Sequence, residues 1–383
     1  VMQDTLARIV AGEGSEADLE TLVGLEELLR NCKCTLCQTS AIPVADTVKH
    51  FRADYLDYIN GNKKEKRVVD YKVKMTAPCQ DKCPAHIDIP SYIEAIKERR
   101  FDESLEIIRE SMPLPAVCGR VCPHPCETAC RRANVDDSVN IMVLKRTASD
   151  YEWMHNHQPP MQPKPKKDKK IAIVGAGPAG LAAAYYLALE GYPCTIYEAL
   201  PEGYGGGMIA VGIPAYRMPR HILQRDIDII SSMGVEIKYD TRVGVDISLI
   251  ELKQQFDAVL LAPGAHKSKP AGIEGEDEGY KGFLAGGIEF LREAYMGKPT
   301  GMGKKVCVVG GGNTAIDCVR VALREGAEDS ILLYRRTRKE MPADEWEVDG
   351  ADEEGVQFEF LVLPKKILVD DKKQVTGVEC VRM

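Results

Sequence analysis

The period of the apolar positions changes along this chain, and the change divides it. Near the start, Leu19, Leu22, Leu25, Leu28 and Leu29 recur at helical spacing behind Ser15, a good helix-capping residue. A second helix is predicted just after Pro43, with Val44, Val48, Phe51 and Tyr55 on one face. Residues 1–60 therefore read as a helical module, 61–78 as a Lys-rich connector and 79–154 as a second helical region. Residues 155–169 combine Pro with Lys and predict an extended, solvated linker. Beyond it short apolar runs alternate with helical patterns, as in a parallel sheet. This part divides into 170–295 and 296–383, each opening on a strand and a glycine turn.

The first strand, IAIV (171–174), runs into Gly175-x-Gly177-x-x-Gly180 and then a helix beginning Pro178-Ala179. Gly175 permits the tight turn, Gly177 lets a pyrophosphate approach the backbone, and Gly180 lets helix and strand pack closely. The phosphates belong at the positive end of that helix. The next strand ends at Glu198, 18 residues after Gly180. A carboxylate there accepts hydrogen bonds from the hydroxyls of an unphosphorylated ribose such as that of FAD. Within the glycine-rich stretch 205–219, Gly206, Met208, Ile213 and Arg217 are candidate flavin contacts. So is Gly264, in the turn after the strand of FDAVLLAPGA (256–265).

The motif recurs as Gly310-Gly311-Gly312-Asn313-Thr314-Ala315 after the strand VCVV (306–309). The following strand, SILLYRR, ends in Arg335 and Arg336 where an acid would otherwise stand. A carboxylate there repels a 2′-phosphate, whereas a guanidinium grips one with two charge-assisted bonds. This second site reads as NADP(H)-selective, the alternative being a solvated strand end. A hairpin is predicted from KKILVD and QVTGVECVRM.

Composition narrows the chemistry. The net charge of −8 argues against a nucleic-acid partner, and no apolar run is long enough to span a membrane. Of 13 cysteines, nine precede residue 131, in short clusters rather than spread as a secreted disulfide framework. This fits a cytoplasmic protein with metal or cluster ligation. The main group is Cys79-x3-Cys83 and Cys118-x3-Cys122-x3-Cys126-x3-Cys130. Zinc sites favour CxxC pairs, and this group has none, so it reads as iron–sulfur, with zinc and plain thiols as alternatives. Cys194, Cys307, Cys318 and Cys380 lie in strand or helix patterns and read as buried packing residues. No acid–base triad stands out, and His124 and His266 read as structural.

From about residue 76 the chain resembles the small subunit of NADPH-dependent glutamate synthase and the amino-terminal half of dihydropyrimidine dehydrogenase. The segments that carry this are CQDKCP (79–84), GRVCPHPCETAC (119–130), VGAGPAG (174–180), GIPAYRMP (212–219), GGGNTAID (310–317) and YRRTRKEMPA (334–343). The resemblance implies FAD on the first unit, NADP(H) on the second and [4Fe-4S] clusters on the helical region. Two-cluster relatives carry an extra CxxC where this chain has Tyr71 and Lys74, and a Gln or Glu ligand where it has Lys145. The resemblance thus supplies one cluster, from among Cys79, Cys83, Cys122, Cys126 and Cys130, and leaves Cys118 outside the set.

Residues 1–60 are similar to the carboxy-terminal helical cap of the NADH-oxidising flavoprotein subunit of complex I, through CTLCQTSAIPVADTVKHFRADY (34–55). That likeness implies that Cys34 completes a cluster whose other ligands precede Val1; plain thiols or a local zinc site at Cys32, Cys34 and Cys37 are the alternative. The fold class expected is helical iron–sulfur segments followed by α/β two-dinucleotide-binding, Rossmann-like domains, incomplete at both ends. The fusion resembles the flavin subunit of an electron-bifurcating transhydrogenase coupling NADH, NADPH and ferredoxin, partnered by further iron–sulfur and flavin subunits. A glutamate synthase small subunit serving an amidotransferase is the alternative.

Overall fold

The computed structural model describes residues 1–31, 39–62, 76–155, 162–284 and 286–383. The chain forms two compact units, Val1–Met75 and Thr76–Met383.

The first unit holds helices α1 (Met2–Val10), α2 (Glu16–Arg30), α3 (Ile42–His50) and α4 (Arg52–Ile59). Ser15 and Asp18 close a capping box at the start of α2, with the Ser15 N–H 2.8 Å from Asp18 Oδ2. Ile9, Leu19, Leu22 and Val48 form the core. Two expectations change here. The single helix predicted after Pro43 is broken at Phe51, whose backbone leaves helical geometry (φ −125°, ψ 32°) and whose ring is exposed. Leu28 also faces solvent, because the buried face of α2 runs through Leu19, Leu22 and Glu26.

The second unit opens with six helices: α5 (Pro78–Lys82), α6 (Ile89–Lys97), α7 (Phe101–Arg109), α8 (Pro115–Val121), α9 (Pro125–Thr128) and α10 (Ile141–His155). Prolines at the first turns of α5, α6, α8 and α9 start these short helices where a missing N–H costs nothing. The α/β part follows as β1 (Ile171–Val174), α11 (Pro178–Leu189), β2 (Cys194–Tyr197), α12 (Met208–Val211), α13 (Arg220–Ser232), β3 (Glu236–Lys238), α14 (Leu249–Gln255) and β4 (Ala258–Leu261). These strands form a parallel sheet in the order β3-β2-β1-β4. Then come α15 (Gly287–Tyr295), β5 (Lys305–Val309), α16 (Asn313–Arg324), β6 (Asp329–Tyr334), α17 (Glu345–Glu353) and β7 (Gln357–Phe360). β5, β6 and β7 make a second parallel sheet, and β8 (Val362–Val369) pairs antiparallel with β9 (Val375–Arg382) as the expected hairpin.

One apolar core runs from the helical region into the first sheet. Ile87, Tyr92, Ile108 and Val117 belong to the same cluster as Ile173, Leu181, Leu223 and Ile227. Inside it Arg109 is fully buried and forks onto Glu152, with both N–O distances 2.7 Å. The described end of the Pro/Lys linker is exposed yet tethered, since the Lys164 and Lys167 N–H groups donate to the carbonyls of Leu189 and Gly191. Of the scattered cysteines, Cys194 and Cys318 are buried as expected, but Cys307, on β5, is exposed and Cys380, on β9, is only half-buried.

Candidate functional site

At the first turn, Gly175 takes φ +102°, and a Cβ there would sit 2.4 Å from the Ala262 carbonyl oxygen just beyond β4. A Cβ on Gly180 would lie 1.9 Å from the Gly175 oxygen, so α11 rests directly on the turn. Pro178 and Ala179 are exposed, leaving the positive end of α11 open to an anion. The Gly206–Gly207 loop passes beside Gly177 at this end. Both glycines take positive φ, and a Cβ on Gly207 would come 2.9 Å from Gly177 Cα. Glu198 follows β2 directly and is buried beside the turn. It accepts the Ala176 N–H at 2.6 Å and the Leu200 N–H at 2.8 Å, which fixes the carboxylate and leaves each oxygen a second lone pair. Met208 is half-buried at the start of α12, and Gly264 turns with φ +74° beside His266.

Arg217 is engaged by two acids. It is buried, its Nη1 donates to Asp317 Oδ2 at 2.7 Å, and its Nε lies 2.5 Å from Glu347 Oε1 as an ion contact without hydrogen-bond angles. Arg320 also pairs with Glu347, and both Arg320 and Arg324 fork onto Glu354. Arg217 thus latches the 212–219 loop to helices α16 and α17. Ile213 lines an apolar cavity of about 330 Å³ with Pro214, Tyr216, Leu291, Tyr295 and Val321. The sequence reading missed Asp317 and Glu347. The available signal was an acid amid the apolar run Ala315, Ile316, Cys318, Val319 of α16. It also missed Arg220, which donates to the carbonyls of Ile209 and Ile213 at 2.8 and 2.7 Å and so shapes this loop.

At the second turn, Gly310 takes φ +145° and Gly312 caps α16, with nothing nearer an added Cβ than Pro342 at 4.0 Å. Thr314 is exposed and Ala315 buried. The Asn313 side chain is already used. Its Oδ1 accepts the Asp344 N–H at 3.0 Å and its Nδ2 donates to Asp344 Oδ2 at 3.2 Å, leaving only its backbone at the helix start for a phosphate. The basic run after β6 splits into two kinds of residue. Arg335 and Arg336 are exposed and form no ion pair among the described residues. Arg338 is held between Asp349 and Asp352 at 2.5 and 3.3 Å.

The described cysteines of the main group are all free thiols, and three of them flank helix ends. Cys83 terminates α5, Cys122 terminates α8, and Cys130 follows α9. The His124 N–H donates to Cys122 Sγ at 3.4 Å from a left-handed backbone (φ 38°). The neighbouring thiols acting most on Cys126 are Cys122 and Cys83, and the one acting most on Cys79 is Cys130. Burial pushes the Cys126 and Cys118 thiols up to about 11, while Lys145 opposes the rise at both. Among the described residues no three His, Cys, Asp or Glu side chains converge on a single metal ion. Soft free thiols, an N–H directed at sulfur and an apolar surround fit an iron–sulfur cluster, whose thiolates bind separate irons. Cys34, Cys32 and Cys37, like Tyr71 and Lys74, lie outside the described residues.

Residues 169–381 match the family described as pyridine nucleotide-disulphide oxidoreductase. The chain belongs to that family. Within this family member, residues 61–157 match dihydropyrimidine dehydrogenase domain II, 4Fe-4S cluster, and residues 1–58 match the NADH-ubiquinone oxidoreductase-F iron–sulfur binding region. Its cofactors are FAD, NADP(H) and [4Fe-4S]. The chain is 79% identical over 383 residues to the NADPH-Fe(3+) oxidoreductase subunit beta of Geobacter sulfurreducens, covering 100% of this chain and 57% of the relative. It is 42% identical over 442 residues to the NADP(+)-dependent formate dehydrogenase subunit beta of Moorella thermoacetica (100% and 62%). It is 37% identical over 317 residues to the glutamate synthase [NADPH] small chain of Escherichia coli (79% and 66%). The chain spans about three fifths of the length of the first two. No helix among the described residues is long and apolar enough to cross a membrane.

Proposed function

We propose that this chain is the electron-entry part of a multi-subunit oxidoreductase, taking electrons from NADPH through FAD to a [4Fe-4S] cluster and on to partner subunits. The observation that carries the reading is the pair of glycine turns on two parallel sheets, one beside the buried Glu198 and the other followed by unpaired Arg335 and Arg336. When bound, the cofactors supply hydride transfer between nicotinamide and flavin and single-electron transfer at iron.

The chain's own residues do the positioning. Gly177 and the N-terminus of α11 receive the FAD pyrophosphate, and Glu198 holds its ribose. Gly312 and the start of α16 receive the second pyrophosphate, and Arg335 and Arg336 select the 2′-phosphate. Cys83, Cys122 and Cys126 are the thiolates for the cluster, with Cys79 and Cys130 as a second, neighbouring pair.

The likeness of residues 1–58 to an NADH-oxidising subunit supports a more specific reading, a bifurcating transhydrogenase linking NADH, NADPH and ferredoxin in the cytoplasm. A glutamate synthase small chain is disfavoured, because the relative of that name matches only 79% of this chain. The full-length protein, purified anaerobically, is expected to carry FAD, iron and sulfide, and its flavin to bleach faster with NADPH than with NADH. Colourless protein, or equal bleaching by both nucleotides, would overturn the reading. Ferredoxin-dependent formation of NADPH by the assembled complex tests the transhydrogenase.

A further inference from the structure

A lysine sits where the cysteine-bearing helices meet. Lys145 lies on α10, is only 5% exposed, and has no carboxylate within ion-pairing distance among the described residues. Burying an ammonium is costly unless a counter-charge repays it. The groups of opposite potential charge around it are thiols, together with the Asp226 carboxylate that acts on Cys118 and the Glu127 carboxylate that acts on Cys126. Cys118 and Cys126 both feel it, and Cys122 and Cys83 act on the same two thiols.

The backbone enforces this placement. Helices α8 and α10 cross so tightly that a Cβ on Gly119 would sit 2.7 Å from Arg146 Cα and 2.8 Å from its nitrogen. Gly119 lies between Cys118 and Cys122, and Arg146 directly follows Lys145. On the helical-region side the crossing is held by Arg120, which pairs with Asp150 on the next turn of α10 at 2.5 Å. The backbone that carries Lys145 therefore cannot move off α8 without parting two helices.

We propose that Lys145 is a fixed cation that raises the reduction potential of the cluster held by Cys83, Cys122 and Cys126. The physical reason is charge balance. Reduction adds one electron to an already anionic cluster, and an ammonium in a poorly solvated site stabilises the more negative state more than the less negative one. An ammonium offers no lone pair to iron, so its effect is through space. Lys145 is a positioning residue for charge and not a catalytic residue. The inference rests on the cluster reading above.

The test is a redox titration of the anaerobic full-length protein followed by paramagnetic resonance, with iron and sulfide measured on each sample. Lys145→Leu and Lys145→Gln should both shift the cluster midpoint to a more negative potential, whereas Lys145→Arg should hold it near the starting value. Two neutral variants are used because a glutamine oxygen can itself ligate iron and a leucine cannot. A cluster-loaded Lys145→Leu protein with an unmoved midpoint would overturn the inference. So would an Arg variant that shifts as far as the Leu variant. If Leu and Gln both lose iron, the Arg variant decides: iron retained at an unchanged midpoint supports a required cation, and iron lost there overturns it. Absence of iron from the unsubstituted protein would instead sink the cluster reading itself.

Discussion

Arg217 Nη1 stands 2.7 Å from Asp317 Oδ2, joining the loop beside the flavin turn to the helix of the second dinucleotide unit. Glu347 shares the same guanidinium from α17, and one oxygen of each acid has no hydrogen-bond partner in the described structure. Burial raises Asp317 to about 6 despite Arg217 pulling it down. Removing one side of a buried pair leaves the other uncompensated, at a cost of about 3–5 kcal/mol. Arg217→Ala should therefore lower the denaturation midpoint of the unit markedly, and Arg217→Lys by less. Urea unfolding followed by far-ultraviolet circular dichroism checks both, and an unmoved midpoint would rule out a stabilising latch.

Gly180 and Gly24 make opposite predictions for the same change. A Cβ on Gly180 meets the Gly175 oxygen at 1.9 Å, so Gly180→Ala must push α11 off its sheet, a cost of about 1–3 kcal/mol for overpacking. It should also release FAD from the full-length protein, read as flavin per chain. Gly24 lies within α2 with nothing near an added Cβ, so Gly24→Ala should stabilise the first unit by about 0.8–1 kcal/mol. Thermal unfolding distinguishes the two.

The arginines after β6 should separate by function. Arg335→Ala and Arg336→Ala each remove a charge-assisted bond to a 2′-phosphate, about 1.5–3 kcal/mol, so NADPH binding weakens while NADH binding barely moves. Arg338→Ala should leave the preference intact, because Asp349 and Asp352 already hold that guanidinium. Flavin reduction rates against the concentration of each nucleotide provide the comparison.

Two acids should respond to pH in opposite senses. Glu354, gripped first by Arg324 and also by Arg320, is held down at about 2. Its contribution to stability is present above its ordinary 4.5 and lost as pH falls through 2. Asp226 is fully buried, and burial raises it from 3.8 to about 7 although Arg109 and the Val117 N–H favour its charged form. The folded state holds that proton more tightly, so the group's favourable contribution is full below 3.8 and lost as pH rises through 7. Relative to the parent, Asp226→Asn should gain stability between about pH 5 and about pH 8, and Glu354→Gln should lose most near neutrality. Denaturant unfolding across that range gives both signs.

β1, β2, β4, β5 and β6, both glycine turns and the hairpin were legible because short continuous apolar runs and glycine spacing are local signals; the short β3 and β7 carry no such run. Ser15 as a cap was legible for the same reason. Phe51 was not: its neighbours carry the right spacing, and only tertiary packing shows that α3 and α4 part there. The partners of Arg217 were not legible, because Asp317 and Glu347 arrive from helices 100 and more residues away. The partner of the Asn313 side chain, Asp344, lies 31 residues on and was not legible either.

At Gly119 and Arg146, main chain meets main chain with no side chain between. A spacing built that way behaves like a gauge block. The outer faces of α8 and α10 can change composition freely, since no rotamer on either helix sets the separation. Even a single methyl group at position 119 would be a wedge, and every residue downstream on both helices, the sulfur of Cys122 included, would move with it.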